Sequence, residues 1–119
     1  MDLSSEKERL ITQLIRETTS GNISWSVQEV PYSLGQATEN YVPLYIEADY
    51  KNVKVGVYEI RYKYYMDESE FHWMESLGIC IVQGHGLVVW KVEEYSPALK
   101  ELFNIASYQA SGIKNILGI

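Results

Sequence analysis

The chain has one cysteine, two histidines and three prolines among its 119 residues. Cys80 has no second thiol to pair with, so an internal disulfide is excluded, and with it the small disulfide-stapled scaffolds. It lies within the apolar residues 77–82. Burial among such neighbours raises the pKa of a thiol and suppresses its nucleophilic thiolate form. The sequence therefore predicts a buried, unreactive cysteine.

Long apolar runs are also missing. No window approaches the roughly 18 consecutive apolar residues from which a membrane-spanning helix is built. The first residues show no positively charged region followed by an apolar core, which is the pattern of a secretory signal. We expect a cytoplasmic protein without a transmembrane segment.

Positive charge is scarce. The chain carries 10 Lys and Arg residues against 16 Asp and Glu residues, for a formal net charge of −6. Such a surface repels the phosphate backbone of nucleic acids and the anionic face of a membrane. The composition thus predicts no direct nucleic-acid partner and no membrane partner, and it favours a protein partner of basic character.

Motifs that carry catalysis or bind cofactors are not found. His72 and His85 lack the H-x-x-x-H spacing of a helical metal site, and no calcium-binding loop is present. Gly84 and Gly86 flank His85 before a predicted strand, whereas a dinucleotide fingerprint precedes a helix. A dyad of Cys80 with either histidine would place its nucleophile inside a strand. We expect no enzymatic activity, no metal and no cofactor.

Size and composition fit one globular unit. The hydrophobic fraction of 46% and the charged fraction of 22% lie near the averages of about 45–50% and 25% for folded domains. A chain of 119 residues also lies within the commonest domain size of roughly 100–150 residues. We expect a single domain spanning residues 1–119.

Amphipathic helices are predicted at both ends of the chain. Ser5 and Glu8 have the spacing of a capping box, and apolar residues then recur every three or four positions until Gly21. Ser96 and Pro97 are typical of a helix start, and a second apolar stripe runs from there to Leu117. Gly112 lies inside this second stripe and predicts a kink or a break.

Between these helices the pattern is that of strands. We predict strands at residues 23–30, 41–50, 53–65, 71–82 and 87–92, with residues 32–40 as a loop. Lys51 and Asn52 predict one tight turn, and the glycines beside His85 predict another. In the second strand, alternation places Val42 with Leu44, Ile46 and Ala48 on one face. In the third, the hydrophobic phase changes near Gly56, which indicates a bulge or two covered faces.

This order predicts an α+β fold. An N-terminal helix precedes an antiparallel β-meander of about five strands, and a C-terminal helix follows. Short connections favour a meander over parallel crossovers. Both helices are expected on one face of a curved sheet. The opposite face would then carry many of the tyrosines and lie open to solvent.

Two segments carry a resemblance to known proteins. They are LITQLIRETTSGNISW, residues 10–25, and SPALKELF, residues 96–103. In pattern they resemble small uncharacterised bacterial and phage proteins built as helix, β-meander and helix. The resemblance implies this fold and a microbial or phage origin, and it assigns no site residues.

Aromatic residues are the remaining feature, with ten Tyr and three Trp. Tyrosine combines a large contact area with a hydrogen-bonding tip, which is why interfaces favour it. The leading hypothesis is therefore a non-catalytic protein-binding module, of the kind of an immunity protein or a phage-encoded inhibitor. Acidic residues would steer a basic partner towards tyrosine anchors. The predicted interface residues are Tyr41, Tyr45, Tyr58, Tyr62, Tyr64, Asp67, Glu68 and Glu70.

Two alternatives stay open at this point. One is a small-ligand pocket between the sheet and the helices, lined by Trp25, Trp73 and Trp90. The other is a homodimer, or a larger homo-oligomer, in which the tyrosine face is the contact between copies.

Overall fold

The computed structural model describes residues 3–35 and 38–119. In chain order, the elements are α1 (Leu3–Thr19), β1 (Ser26–Val27), α2 (Tyr32–Gly35), β2 (Tyr41–Tyr50), β3 (Val53–Tyr65), β4 (Phe71–Gln83), β5 (Leu87–Glu93), α3 (Pro97–Ser111) and α4 (Ile113–Leu117). The strands form one antiparallel sheet in the order β1-β2-β3-β4-β5. The predicted α+β meander is thus confirmed.

Helix α1 begins earlier than predicted. Because it starts at Leu3, Ser5 and Glu8 lie within the helix, and the predicted capping box is wrong. The C-terminal end of α1 lies where the sequence predicts it. Gly21 adopts a left-handed φ of 76°, and the N–H of Asn22 donates to the C=O of Glu17 over 2.9 Å, which is the Schellman termination that glycine favours.

Helix α3 follows the sequence prediction at both ends. The hydroxyl of Ser96 accepts from the N–H of Leu99 at 3.1 Å, and Pro97 occupies the first turn, where its missing N–H costs nothing. Gly112, with a φ of 68°, ends α3 and separates it from α4. The predicted break at Gly112 is confirmed.

The region before β2 differs most from the prediction. Only Ser26 and Val27 pair as a strand, and Val27 is 60% exposed, whereas Ile23 and Trp25 are buried. The predicted strand at residues 23–30 is therefore wrong for most of its length, and the predicted loop contains α2. Gln36 and Ala37 of that loop lie outside the described residues, as do Met1 and Asp2 of the N-terminal segment.

The register of β3 explains its change of hydrophobic phase. Its pairing with β4 runs without a shift from Lys54 to Tyr65, so no bulge occurs at Gly56. Instead both faces are covered there, which was the second of the two sequence interpretations. The one irregularity between β2 and β3 lies between Tyr41 and Leu44, around Pro43. It places Val42 in the same cluster as Tyr45, which corrects the predicted alternation of β2.

Two apolar clusters cover the two faces of the sheet. Helices α1 and α3 pack on one face, as predicted. Its buried members are Ile11, Leu14, Ile23, Trp25, Ile46, Ala48, Val55, Val57, Leu77, Ile79, Leu99, Leu102, Phe103 and Ala106. On the opposite face α2 lies over the sheet. This smaller cluster contains Leu34, Val42, Tyr45, Tyr58, Ile60, Cys80 and Val82.

Strands β3 and β4 extend beyond their neighbours. The pairing of β2 with β3 ends at Arg61, and that of β5 with β4 ends at Gly78. Residues 62–74 therefore form a two-stranded ribbon that projects by roughly 15 Å at the usual strand rise. Residues 75–77 at its base pair with the part of β3 that β2 still flanks, and residues 62–77 together are here called the arm. The radius of gyration is 15.2 Å, against about 13.5 Å for a compact chain of this length. The projecting ribbon contributes to this elongated shape.

Candidate protein-interaction site

Two of the tyrosines predicted to be exposed are buried. Tyr45 is 1% exposed and Tyr58 is 0% exposed, because both lie beneath the segment that contains Leu34. The prediction that the tyrosine-bearing face of the sheet lies open to solvent is therefore wrong at the centre of that face. These two side chains belong to the second apolar cluster and present no surface to a partner.

Glycines in the strands make room for these two rings. A Cβ added to Gly78 would lie 2.3 Å from the ring of Tyr58, and one added to Gly56 would lie 2.5 Å from the ring of Tyr45. Each ring therefore rests directly on the backbone of a neighbouring strand. Glycine within a strand commonly marks such a close approach.

The hydroxyl groups of both rings donate hydrogen bonds to carboxylates. Tyr45 donates to Glu47 over 2.8 Å, and Tyr58 donates to Glu93 over 3.0 Å. Burial, followed by nearby negative charge, raises the pKa of both phenols well above their ordinary value. Burial also raises the pKa of the Cys80 thiol to about 11. Cys80 is fully buried, as predicted, and this environment disfavours its thiolate.

The remaining predicted tyrosines lie at or near the arm. Tyr64 is 55% exposed, and its ring lies 5.4 Å from that of His72 across the strand pair. Tyr62 is half-buried and stands opposite Met74. Tyr41 is exposed and pairs with Arg61 where the arm begins. The structure thus brings three of the five tyrosines together at one end of the sheet.

One face of the arm carries an aromatic row that the sequence interpretation missed. The ring centroids of Tyr65 and Phe71 lie 5.6 Å apart, and those of Phe71 and Trp73 lie 6.1 Å apart with their ring planes almost perpendicular. Lys63 spans this row, with its ammonium 4.7 Å from the Phe71 centroid and 5.7 Å from that of Trp73. Cation–π contacts of this kind hold a cation over the rings.

Both faces of the ribbon carry exposed apolar side chains, which is unusual for two strands. Trp73 is 49% exposed, and further exposed apolar side chains are Tyr64, Tyr65, Met66, Phe71 and Met74. Isolated hairpins are only marginally stable in water, and contiguous exposed apolar surface commonly marks an interface. The arm is therefore the candidate interaction site.

The three predicted acidic residues occupy the turn at the end of the arm. The carboxylate of Asp67 accepts from the N–H of Ser69 at 2.8 Å and from the N–H of Glu70 at 2.9 Å. These hydrogen bonds hold the pKa of Asp67 below its ordinary value. Asp67 thus closes the turn, while Glu68 and Glu70 extend their charge into solvent. The end of the arm is consequently negative.

Other kinds of site find less support in the structure. Within the described ranges, no three His, Cys, Asp or Glu side chains are grouped to hold a metal ion. The three tryptophans do not meet in one pocket, since Trp25 and Trp90 pack in the main core and Trp73 lies on the arm. A cleft of about 200 Å³ opens at the base of the arm, lined in part by Arg61 and Lys100. Larger clefts, of about 590 Å³ beside Tyr62 and Tyr95 and of about 510 Å³ beside Ile105 and Ile113, reach the roughly 300–1,000 Å³ of ligand pockets, but no tryptophan lines any of these three clefts.

Comparison with known proteins yields no relative. No protein-family model, no curated protein and no solved structure matches this chain. Among the described helices, none has an apolar stretch long enough to cross a membrane.

Proposed function

We propose that this chain is a non-catalytic protein-binding module whose contact surface is the arm. The single observation that carries the proposal is the projecting ribbon itself, because both of its faces carry exposed apolar side chains. Trp73 and Tyr64 are the central anchors, because each is about half exposed on its own face of the ribbon. Buried aromatic anchors commonly dominate the binding energy of an interface.

The charge of the arm supports a basic partner. Asp67, Glu68 and Glu70 crowd its end, and the whole chain carries a net charge of −6. An acidic surface accelerates the encounter with a basic one and adds a dependence on salt. A cytoplasmic inhibitor that neutralises a basic protein fits this combination of small size, acidity and aromatic anchors.

A matched pair of variants tests the proposal. In the arm variant Tyr64 and Trp73 both become Ser; in the control variant Tyr32→Ser is combined with Tyr108→Ser, which removes two exposed rings elsewhere. Each tagged protein is used to capture partners from a lysate of the encoding organism, at low and then at moderate salt.

If the proposal is right, the wild type and the control variant should each capture one partner in a near-stoichiometric amount. The arm variant should not capture this partner. Capture should also weaken as salt rises. Circular dichroism should show the same fold and closely similar melting temperatures for all three proteins. Equal capture by a folded arm variant would contradict the assignment of the contact surface to the arm.

A further inference from the structure

Both methionines among the described residues lie exposed on the arm. Met66 follows β3 at the tip and is 67% exposed, and Met74 lies on β4 and is 39% exposed. Methionine more often fills gaps in a buried core. Here solvent reaches both thioethers, which are soft and polarisable sulfur ligands.

The register of the arm places both methionines on the face that carries His72. His72 stands opposite Tyr64, and Met74, two residues further along β4, shares its face because strand side chains alternate. The N–H of Met66 donates to the C=O of Glu70 over 2.9 Å, so the strand ladder continues past the end of β3. Met66 therefore follows Tyr64 on the same face.

His72 lies between the two methionines on this face. Met66 is its diagonal neighbour across the ribbon, and such residues lie about 7–8 Å apart, within reach of long side chains. Met74 is two residues away along the strand, which places the Cα atoms roughly 6.5 Å apart. The exposed imidazole contacts the Tyr64 ring at 5.4 Å between centroids, and this ring contact leaves the nitrogens at its edge for a metal.

We propose that Met66, His72 and Met74 form a binding site for a soft monovalent metal ion of the type of Cu(I). Thioether sulfur selects Cu(I) and imidazole nitrogen suits copper, whereas hard cations prefer oxygen ligands. Two sulfurs and one nitrogen also match the low coordination number of this ion. The sequence expectation of no metal considered histidine spacing and calcium loops, and the thioethers come together only through the register of the arm.

The charge of the ribbon favours a cation on this face. Asp67, Glu68 and Glu70 lie at the tip beside Met66, and acidic groups raise the local concentration of cations. Lys63 is the one basic residue of the segment 62–74, and its ammonium lies over aromatic rings of the opposite face. The inference does not depend on the proposed function, because binding of an ion needs no protein partner.

Competition for Cu(I) against a chromophoric chelator, without oxygen, tests the site. The wild type should bind one Cu(I) ion per chain. Loss of a group that only orients a ligand costs about 10–100-fold in affinity, so Met66→Leu, Met74→Leu and His72→Gln should each weaken binding by about tenfold or more. The changes to leucine nearly conserve volume, and circular dichroism should show the wild-type fold for all three variants.

His85→Gln is the matched control for His72→Gln, because His85 is exposed in the opposite hairpin. It should bind Cu(I) as the wild type does. Cys80→Ala removes the buried thiol and should also leave the affinity unchanged. A wild type that takes no Cu(I) from the chelator would overturn the inference. Full affinity in His72→Gln, or lost binding in Cys80→Ala, would overturn it as well.

Nuclear magnetic resonance of carbon-13-labelled methionine methyl groups locates the sulfur ligands. Ag(I) serves as the probe, since it is a soft ion with the same charge. It should shift the methyl resonances of Met66 and Met74, which the two leucine variants assign. Zn(II) prefers thiolate, imidazole and carboxylate ligands and should shift neither resonance. Methyl resonances that ignore Ag(I), or that respond equally to Zn(II), would contradict a soft thioether site.

Discussion

The ring of Tyr58 rests on the backbone of Gly78, so closely that a Cβ on this glycine would lie 2.3 Å from the Cζ atom of the ring. Gly78 is the direct partner of Tyr58 across the β3–β4 pair. Aromatic rings that cover glycines on an adjacent strand protect the backbone from water and fix the pairing register. Here the contact also explains why a tyrosine predicted for the surface is buried.

This contact predicts the effect of Gly78→Ala. Gly78 has no positive φ, so alanine meets no backbone strain and would otherwise raise stability by about 0.4–1 kcal/mol. Because the new methyl group collides with the ring, we expect a loss of about 1–3 kcal/mol instead. Urea unfolding measures the change, with Ser76→Ala on the same face of β4 as the control.

A double-mutant cycle tests whether the loss of stability caused by Gly78→Ala comes from the collision with the Tyr58 ring. Tyr58→Ala alone should cost about 3–5 kcal/mol. With the ring removed, Gly78→Ala should cost little, so the two losses should fail to add by roughly 1–3 kcal/mol. Additive losses would show that the methyl group meets something other than Tyr58.

The raised pKa values predict sensitivity to alkali. Folding keeps the hydroxyls of Tyr45 and Tyr58 and the thiol of Cys80 protonated, whereas in the unfolded chain cysteine ionises near pH 8.5 and tyrosine near pH 10. As the pH rises, the unfolded chain therefore releases these protons at a lower pH than the folded chain does. The free energy of unfolding should be unaffected by these groups below about pH 8.5. Between its unfolded pKa and its raised folded pKa, each group should lower it by about 1.4 kcal/mol per pH unit, which for Cys80 ends near pH 11.

Tyr58→Phe isolates one of these three contributions. Above pH 10, its free energy of unfolding should fall less steeply than that of the wild type by about 1.4 kcal/mol per pH unit. Urea unfolding at several values between pH 8 and 11 gives the slopes, and Tyr108→Phe removes a hydroxyl from an exposed ring as the control. Identical slopes for Tyr58→Phe and the wild type would contradict the buried, protonated phenol.

Gln109 joins α3 to the chain segment before β1. Its Oε1 accepts from the N–H of Trp25 at 2.6 Å, and its Nε2 donates to the C=O of Ile23 at 3.1 Å. Gln109→Ala leaves both backbone groups without these partners. Each group that stays buried should lower the free energy of unfolding by about 1–3 kcal/mol. We expect a total loss of about 2–4 kcal/mol in urea unfolding.

Asn104→Ala is the control for Gln109, since Asn104 is exposed on the same helix. Its effect should stay within about 0.5 kcal/mol. Gln109→Glu keeps an acceptor for Trp25 but sets a carboxylate oxygen against the C=O of Ile23, so its loss should be at least as large as that of Gln109→Ala. If Gln109→Ala were as stable as Asn104→Ala, the two hydrogen bonds would contribute nothing measurable.

The burial of Tyr45 and Tyr58 could not be predicted from alternation alone. Alternation places both on the face opposite the long helices, but their cover comes from Leu34, in a polar segment interpreted as a loop. Gly56 and Gly78 were the available signal, since glycine inside a strand marks close approach. The sequence interpretation related Gly56 only to a bulge or to two covered faces, and it gave Gly78 no role.

The arm, in contrast, was predictable in outline. Strands β3 and β4 have 13 residues each, against 10 in β2 and 7 in β5, and the strand predictions have nearly these lengths. Tight turns fix the register, so the longer strands must extend past the shorter ones. The sequence does not give the exposure of Trp73 or the position of Lys63, because these depend on how the side chains pack on the ribbon.

Hydrogen exchange on the complex with a captured partner tests the central claim most directly, because it locates the contact on the chain. Binding should slow exchange of the backbone amides in residues 62–77, with little change at the opposite hairpin around His85 or in α4. Mixing the partner with the Tyr64→Ser and Trp73→Ser double variant should give no such protection. Protection confined to residues outside the arm would contradict the assignment of the arm as the binding surface.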